Sequence, residues 1–223
     1  MNARERFLAI LHGETPDRPP LFEEGIRDEV LAGWRTQGLP QGADLESLFR
    51  YDRFEQIDAD VYPRAEITDW SDPEVVLWAL RERLDPTDPR RLPEDWPERV
   101  KAWRERQHPL FLRIHQGLLL SLGIEDWRSF APALLRLVDQ PEFDHQILSL
   151  QAQFAARLAE KVLGEVELDG IIFSEPIAGN HGALISPRMY RRFALHSYAP
   201  VFEAARAHQV PAVIWRSYAN PAS

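Results

Sequence analysis

A short apolar run that ends in polar residues and glycines constrains this chain more than any other segment. Residues 171–173 (IIF) form a run of the kind that a strand buried on both faces needs. Ser174 and Glu175 follow at once, and Asn180 and His181 lie a few residues further on, among prolines and glycines. In α/β barrels the catalytic groups stand at the carboxyl ends of parallel strands. The segment therefore predicts the rim of an active site.

Apolar strand patterns alternate with helical patterns along the rest of the chain. The patterns predict strands near 21–22, 56–62, 108–115, 171–173 and 212–215, and helices over 3–12, 28–37, 98–107, 124–138, 141–163 and 187–208. Residues 72–83 fit either a strand or a helix. This alternation predicts a parallel sheet built from βαβ units, within a single domain over residues 1–223.

Five βα units are too few for a closed eight-stranded barrel, which typically takes about 250 residues. We therefore expect an incomplete TIM-type (β/α)8 barrel that lacks its C-terminal part and has extra helices at its N-terminus. An uncovered parallel edge after residue 215 is unfavourable. Two explanations stay open: these residues are part of a longer polypeptide, or another chain covers the edge.

Composition excludes several classes of function. A net charge of −9 argues against a nucleic-acid partner, because phosphates require a basic face. The absence of cysteine excludes thiol nucleophiles, iron–sulfur clusters and thiolate zinc sites. The sequence has no signal-peptide pattern and no apolar run of membrane length, which predicts a soluble, cytoplasmic protein without a membrane partner.

Acidic and imidazole groups near predicted strand ends are the candidates for catalysis. Glu175 could act as a general acid or base, or form a structural salt bridge. His181 could transfer a proton or bind a metal, or hydrogen-bond to its own loop. His115 ends the third predicted strand and is a candidate for substrate binding, with a buried supporting role as the alternative; Asn180 is a further substrate-binding candidate.

A second group of candidates would bind the substrate. Arg216, Tyr218 and Asn220 alternate after the last predicted strand, so their side chains share one face of an extended segment. Arginine at a strand end suits bidentate binding of a carboxylate. Glu23 and Glu24 close the first predicted strand.

Asp58 and Asp60 share a face of the second predicted strand, and paired acids with histidines could hold a divalent metal such as zinc. The sequence contains no tight metal-ligand motif such as HExxH, so we predict no cofactor, and the metal stays an open alternative without support.

Two segments resemble hallmarks of the uroporphyrinogen decarboxylase superfamily. They are Arg4–Pro20 (RERFLAILHGETPDRPP) and Ile185–Phe193 (ISPRMYRRF). The resemblance implies a TIM barrel, often dimeric, with its pocket at the carboxyl ends of the strands. The family includes tetrapyrrole decarboxylases, which use no cofactor, and zinc-dependent corrinoid methyltransferases.

The chain departs from the family pattern at the residues that bind substrate. Decarboxylases of the family carry an Arg-Gln-Ala-Gly-Arg run where this chain has Glu23–Arg27 (EEGIR), so Arg27 alone matches. Glu175 stands where a substrate-contacting serine is usual. The methyltransferases need a His-x-Cys pair where this chain has Trp215–Tyr218 (WRSY). These departures argue against a tetrapyrrole substrate and against the usual zinc site.

The sequence thus predicts an enzyme of this superfamily that acts on a small organic acid, with decarboxylation as the expected reaction. Glu175 and His181 would be the acid and base, and Arg216 would anchor a carboxylate. Two alternatives stay open: methyl transfer from a corrinoid or related one-carbon donor, and a non-catalytic half-barrel that binds a partner. The family implies a homodimer.

Overall fold

A computed structural model describes residues 1–63, 67, 69–124, 126–179 and 182–217. Its helices are α1 (Ala3–Leu11), α2 (Asp28–Thr36), α3 (Leu45–Phe49), α4 (Pro73–Arg83), α5 (Trp96–Trp103), α6 (Leu118–Ser121), α7 (Trp127–Asp139), α8 (Pro141–Leu163) and α9 (Pro187–Ala207). Its strands are β1 (Glu55–Asp58), β2 (Leu110–His115), β3 (Gly170–Ser174), β4 (Ala178–Gly179), β5 (Gly182–Ala183) and β6 (Val213–Arg216). The protein is therefore of mixed α/β class.

Four of the strands form one parallel sheet in the order β1-β2-β3-β6, which is also their order along the chain. Each connection between them contains at least one helix, as parallel pairing requires. Within the described residues β1 and β6 are the two edges of this sheet. Strands β4 and β5 form a separate antiparallel pair of two residues each, in the loop that follows β3.

The two faces of the sheet differ in what covers them. Ile57, Leu112 and Ile171 lie side by side in the strand register and point into the apolar core formed with α4, α8 and α9. The opposite face carries Phe111 at its amino-terminal end, where the ring packs against Phe7 of α1 at 5.2 Å between centroids. Polar side chains occupy the carboxyl end of this opposite face, and we call the whole of it the polar face.

Helix α4 resolves the ambiguity of residues 72–83 in favour of a helix. The Asp72 side chain accepts hydrogen bonds from the backbone N–H groups of Glu74 and Val75, and Pro73 occupies the first turn. Both features stabilise a helix start. Four apolar residues of α4 are buried, at helical rather than alternating spacing: Val76, Leu77, Ala79 and Leu80.

The predicted first strand, residues 21–22, is wrong. The Leu21 backbone N–H donates to the Asp52 carboxylate at 2.9 Å, and the Asp52 N–H donates to the Leu21 carbonyl at 2.7 Å. Asp52 is buried and also accepts hydrogen bonds from Arg6 and Arg18. This ionic cluster holds residue 21 beside the residues that precede β1. The sheet therefore has four strands in the described residues, where five were predicted.

A buried arginine fixes the loop after β1. The Arg91 guanidinium donates to the backbone carbonyls of Asp60, Tyr62, Arg83 and Asp85, and it lies 4.7 Å from the centre of the Phe154 ring. Backbone carbonyls that are buried without a partner are costly. Arg91 therefore joins the carboxyl end of β1 to the end of α4.

None of the described helices combines the length and the apolar character that crossing a membrane requires.

Replacing Arg91 should destabilise the fold. Arg91→Ala leaves buried carbonyls without donors, so we expect the free energy of unfolding to fall by about 3 kcal/mol. Urea denaturation followed by circular dichroism measures this loss. Arg90→Ala is the matched control, because the neighbouring Arg90 side chain is 69% exposed, and it should change stability by less than about 0.5 kcal/mol. Equal effects of the two variants would contradict the role given to Arg91.

Candidate functional site

The carboxyl ends of the parallel strands meet at one edge of the sheet, and two polar groups of side chains lie there. One is a buried cluster around Glu175, between β3 and α9. The other is a charged network on the polar face, contributed by β1, β2 and β6. The two groups differ in exposure and therefore in what they can do.

The buried cluster is built on the Glu175 carboxyl, which has no exposed surface. Its two oxygens accept the Leu118 backbone N–H at 3.0 and 3.1 Å, and the Tyr198 hydroxyl donates to Oε2. Gly117, with φ of +86°, allows this approach, since a Cβ there would lie 2.9 Å from Glu175 Oε1. Glu175 thus links the end of β3 both to α9 and to the first residue of α6.

Burial shifts the ionisation of this cluster. It raises the pKa of Glu175 from 4.5 to about 7, against the hydrogen bonds from Tyr198 and Leu118, which favour the charged form. Burial also raises the pKa of Tyr198 and of Tyr190 well above the usual tyrosine range. The two phenols are hydrogen-bonded at 2.8 Å. Glu175 is therefore the member of the cluster that changes charge near neutral pH.

His115 is buried next to this cluster in a defined tautomer. Its Nδ1 accepts the Gly117 N–H at 2.9 Å, so Nδ1 carries no proton. Its Nε2 lies 3.3 Å from the Ser197 hydroxyl oxygen, whose own proton is donated to the Ala194 carbonyl, so Nε2–H is the donor. Burial lowers the pKa of His115 to about 3. The ring is neutral, and both nitrogens are hydrogen-bonded within the protein.

The charged network crosses the polar face from β2 to β6. Arg113 Nε donates to the Asp58 carboxylate at 2.7 Å, and Gln56 Nε2 donates to the same oxygen at 2.6 Å. Arg216 Nη2 donates to Gln56 Oε1 at 2.9 Å and forms an ion pair with Glu24 at 2.7 Å. β1 and β6 are separated by two strands, so this contact requires both side chains to reach across the sheet.

Both arginines keep donors for a ligand. Within the described residues Arg113 uses Nε alone, and its side chain is 42% exposed. Arg216 uses Nη2, and its partner Glu24 is 58% exposed on a segment without regular secondary structure. An incoming carboxylate could therefore pair with the Nη groups of Arg113, or replace Glu24 at Arg216.

Three cavities surround α6 at this end of the sheet, and Leu120 lines all of them. Their volumes are about 400, 310 and 40 Å³. The smallest is lined by Arg113, His115 and Ser174. The carboxyl end of the sheet is thus the part of the fold where polar strand-end residues and open volume coincide.

The remaining predicted site residues lie apart from the network or outside the described residues. The Glu23 carboxylate accepts the Gly25 N–H of its own loop, and the Arg27 side chain is 83% exposed beside Glu29. The structure does not bring either to Arg113 or Arg216. Asn180, His181, Tyr218 and Asn220 lie outside the described residues.

Arg113 was not among the site residues predicted from the sequence. The residue lies within the strand LFLRIH, whose other members are apolar up to the final histidine. A single charge inside such a strand is unusual for a sheet buried on both faces. That exception was the available signal, and it marks the polar face of the sheet.

The described residues contain no group of three or more histidine or carboxylate side chains arranged to hold a metal ion. No known protein-family model matches the chain, and a comparison with curated proteins finds no match. Function must therefore be argued from the site itself.

The raised pKa of Glu175 predicts how stability depends on pH. The unfolded carboxyl ionises near pH 4.5 and the folded one near pH 7, so ionisation costs the folded state about 3 kcal/mol over that interval. The stabilising effect of the neutral carboxyl is complete below pH 4.5 and is lost as the pH rises through 7.

Glu175→Gln should remove this dependence. We expect the variant to match the unmodified protein near pH 4.5 and to exceed it at pH 8, as measured by urea denaturation. Glu203→Gln, an exposed position on α9, is the matched control and should follow the unmodified protein. A constant difference between pH 4.5 and 8 would contradict the ionisation assigned to Glu175.

Proposed function

We propose that the protein is an enzyme that binds an organic acid at the carboxyl end of its parallel sheet and decarboxylates it. The observation that supports this proposal is the pair Arg113 and Arg216 on the polar face, both with guanidinium nitrogens that no described residue uses. Arginine pairs with carboxylates bidentately, which fixes the orientation of an acid as well as holding it.

The reaction constrains which carboxylate the arginines hold. Decarboxylation breaks a carbon–carbon bond, releases CO2 and leaves an electron pair on carbon, which then takes a proton. An arginine paired with the departing carboxylate would stabilise the ground state more than the transition state and would slow the step. The proposed substrate therefore has at least two carboxylates, and Arg113 or Arg216 holds one that remains.

Glu175 then has a positioning role in this proposal. Its carboxyl is enclosed by Leu118 and Tyr198, and it holds the turn from β2 into α6 that shapes the cavities. The prediction that His181 transfers the proton to carbon remains part of the proposal and rests on the sequence. Methyl transfer would use the same region of the fold, but no observation in the described residues favours it.

We also propose that the sheet belongs to a TIM-type barrel like that of the uroporphyrinogen decarboxylase superfamily. Sequential order of parallel strands and a helical layer on one face support this proposal. A tetrapyrrole substrate is not proposed, because Glu23 and Glu24 stand where that activity needs arginine-rich sequence.

Removing the arginines tests the proposed activity. A panel of dicarboxylic acids should include one that releases CO2, measured by a coupled assay. Arg216→Gln and Arg113→Gln should each lower kcat/KM at least tenfold, a loss of about 1.4 kcal/mol or more in transition-state stabilisation. Arg188→Gln, exposed at the start of α9, is the matched control and should retain full activity. Full activity of both site variants would refute the carboxylate anchors.

A second candidate function, assembly with another chain, is favoured by one observation. At the sheet edge, Val213 and Trp215 of β6 are 50% and 40% exposed, and Leu195 and Phe202 of α9 are also exposed. Exposed apolar edges of this kind promote association.

Light scattering should then give a mass near twice 25.8 kDa. Val213→Glu should reduce it to the monomer mass, and a monomeric unmodified chain would exclude this function.

A further inference from the structure

The 310 Å³ cavity beside α6 has mostly apolar walls. Tyr62, Ile67, Trp70 and Leu120 supply apolar surface, and Gln116 is one of the polar lining residues. A volume of this size is at the lower end of the range for small-molecule sites. The cavity therefore suits a compact apolar group of about the size of one aromatic ring.

Trp70 forms a fixed wall of this cavity. Its indole N–H donates to the Ile67 carbonyl at 2.8 Å, and its ring packs directly on Gly123. A Cβ at residue 123 would lie 2.3 Å from the ring, so this packing requires glycine. The Arg136 guanidinium lies 5.6 Å from the Trp70 ring centre. The indole is thus held in place before any ligand arrives.

The apolar cavity adjoins a charged one. The 40 Å³ cavity shares Tyr62, Gln116 and Leu120 with it, and its further lining residues include Arg113. Arg113 is the one cationic side chain among the residues that line the two cavities, since the His115 ring is neutral. One end of the combined space therefore attracts a carboxylate, and the other excludes charge.

Gln116 adds a polar requirement between these two ends. Its Nε2 donates to Gln151 Oε1 at 2.8 Å, and Gln151 Nε2 donates to the Ser121 carbonyl at 2.8 Å. These bonds fix the orientation of the Gln116 amide. Its Oε1 is buried and has no hydrogen-bond partner among the described residues. A buried acceptor of this kind is costly to leave unpaired, so a donor group on the ligand would be favoured.

We propose that the substrate carries an apolar, ring-sized body in addition to its two or more carboxylates. Arg113 pairs with the carboxylate that remains after the reaction, and the body packs against Trp70, Ile67 and Leu120. This inference rests on the proposed function for the identity of the retained carboxylate. It excludes compact, fully polar di- and tricarboxylic acids as the preferred ligands, because such acids have no apolar body to pack against these walls.

Calorimetric titration with two probes tests the inference. 3-Phenylpropionate carries one carboxylate and a ring, whereas succinate carries two carboxylates and no ring. We expect 3-phenylpropionate to bind at least tenfold more tightly than succinate. Arg113→Gln should weaken the binding of 3-phenylpropionate at least tenfold, because the carboxylate loses its partner.

Two variants of the apolar wall complete the design. Leu120→Trp should fill the cavity and abolish binding of 3-phenylpropionate. Leu48→Trp, at an exposed position of α3, is the matched control. Tyr62→Ala should weaken the binding of 3-phenylpropionate several-fold. Because the Tyr62 side chain is half-exposed, this variant keeps the test valid if Leu120→Trp fails to fold.

The outcomes separate this inference from the proposed function. Succinate could instead bind as tightly as 3-phenylpropionate, or more tightly, in a way that depends on Arg113. This result would contradict the inference that the substrate has an apolar body, but it would still support Arg113 as the carboxylate anchor. If Arg113→Gln binds 3-phenylpropionate as tightly as the unmodified protein does, the inference that the ligand is a carboxylic acid held by Arg113 is wrong. Failure of both probes to bind would overturn the inference and the proposed carboxylate site together.

Discussion

The buried carboxyl of Glu175 is the interaction on which the arrangement of the site depends. It accepts the first backbone N–H of α6 and the hydroxyl of Tyr198 on α9, so it fixes both elements to the end of β3. Leu120, the third residue of α6, lines these three cavities at this end of the sheet. The shape of the proposed binding region therefore follows from a side chain that is itself fully buried.

This arrangement places the ionisation of Glu175 near neutral pH. Desolvation favours the neutral form of Glu175, whereas the donors Leu118 and Tyr198 favour the charged form, and the balance raises the pKa to about 7. His115, close by, stays neutral across the whole range because burial lowers its pKa to about 3. Among the groups of this cluster, the change of charge near neutral pH therefore occurs on Glu175.

The sequence predicted the long elements well because their signals are local. α8 and α9 match the predicted ranges to within one residue, since each has a proline in its first turn and a periodic apolar face. The predicted strand at 21–22 is wrong because Asp52, some thirty residues later, forms hydrogen bonds with the Leu21 backbone. The enclosure of Glu175 could not be predicted, since Leu118 lies 57 residues before it and Tyr198 lies on a different element.

An irregularity in β2 decides which polar groups can meet a ligand. Simple alternation would put Arg113 and His115 on the same face of the sheet. The register instead pairs Arg113 with Ile172 and His115 with Phe173, so β2 has one extra residue between them. This bulge lets the His115 ring stack on Phe173 beneath α9 while Arg113 stays on the polar face with Asp58. Removing the extra residue would bring the histidine and the arginine to one face, and the separation of a buried supporting cluster from an accessible anchor would be lost.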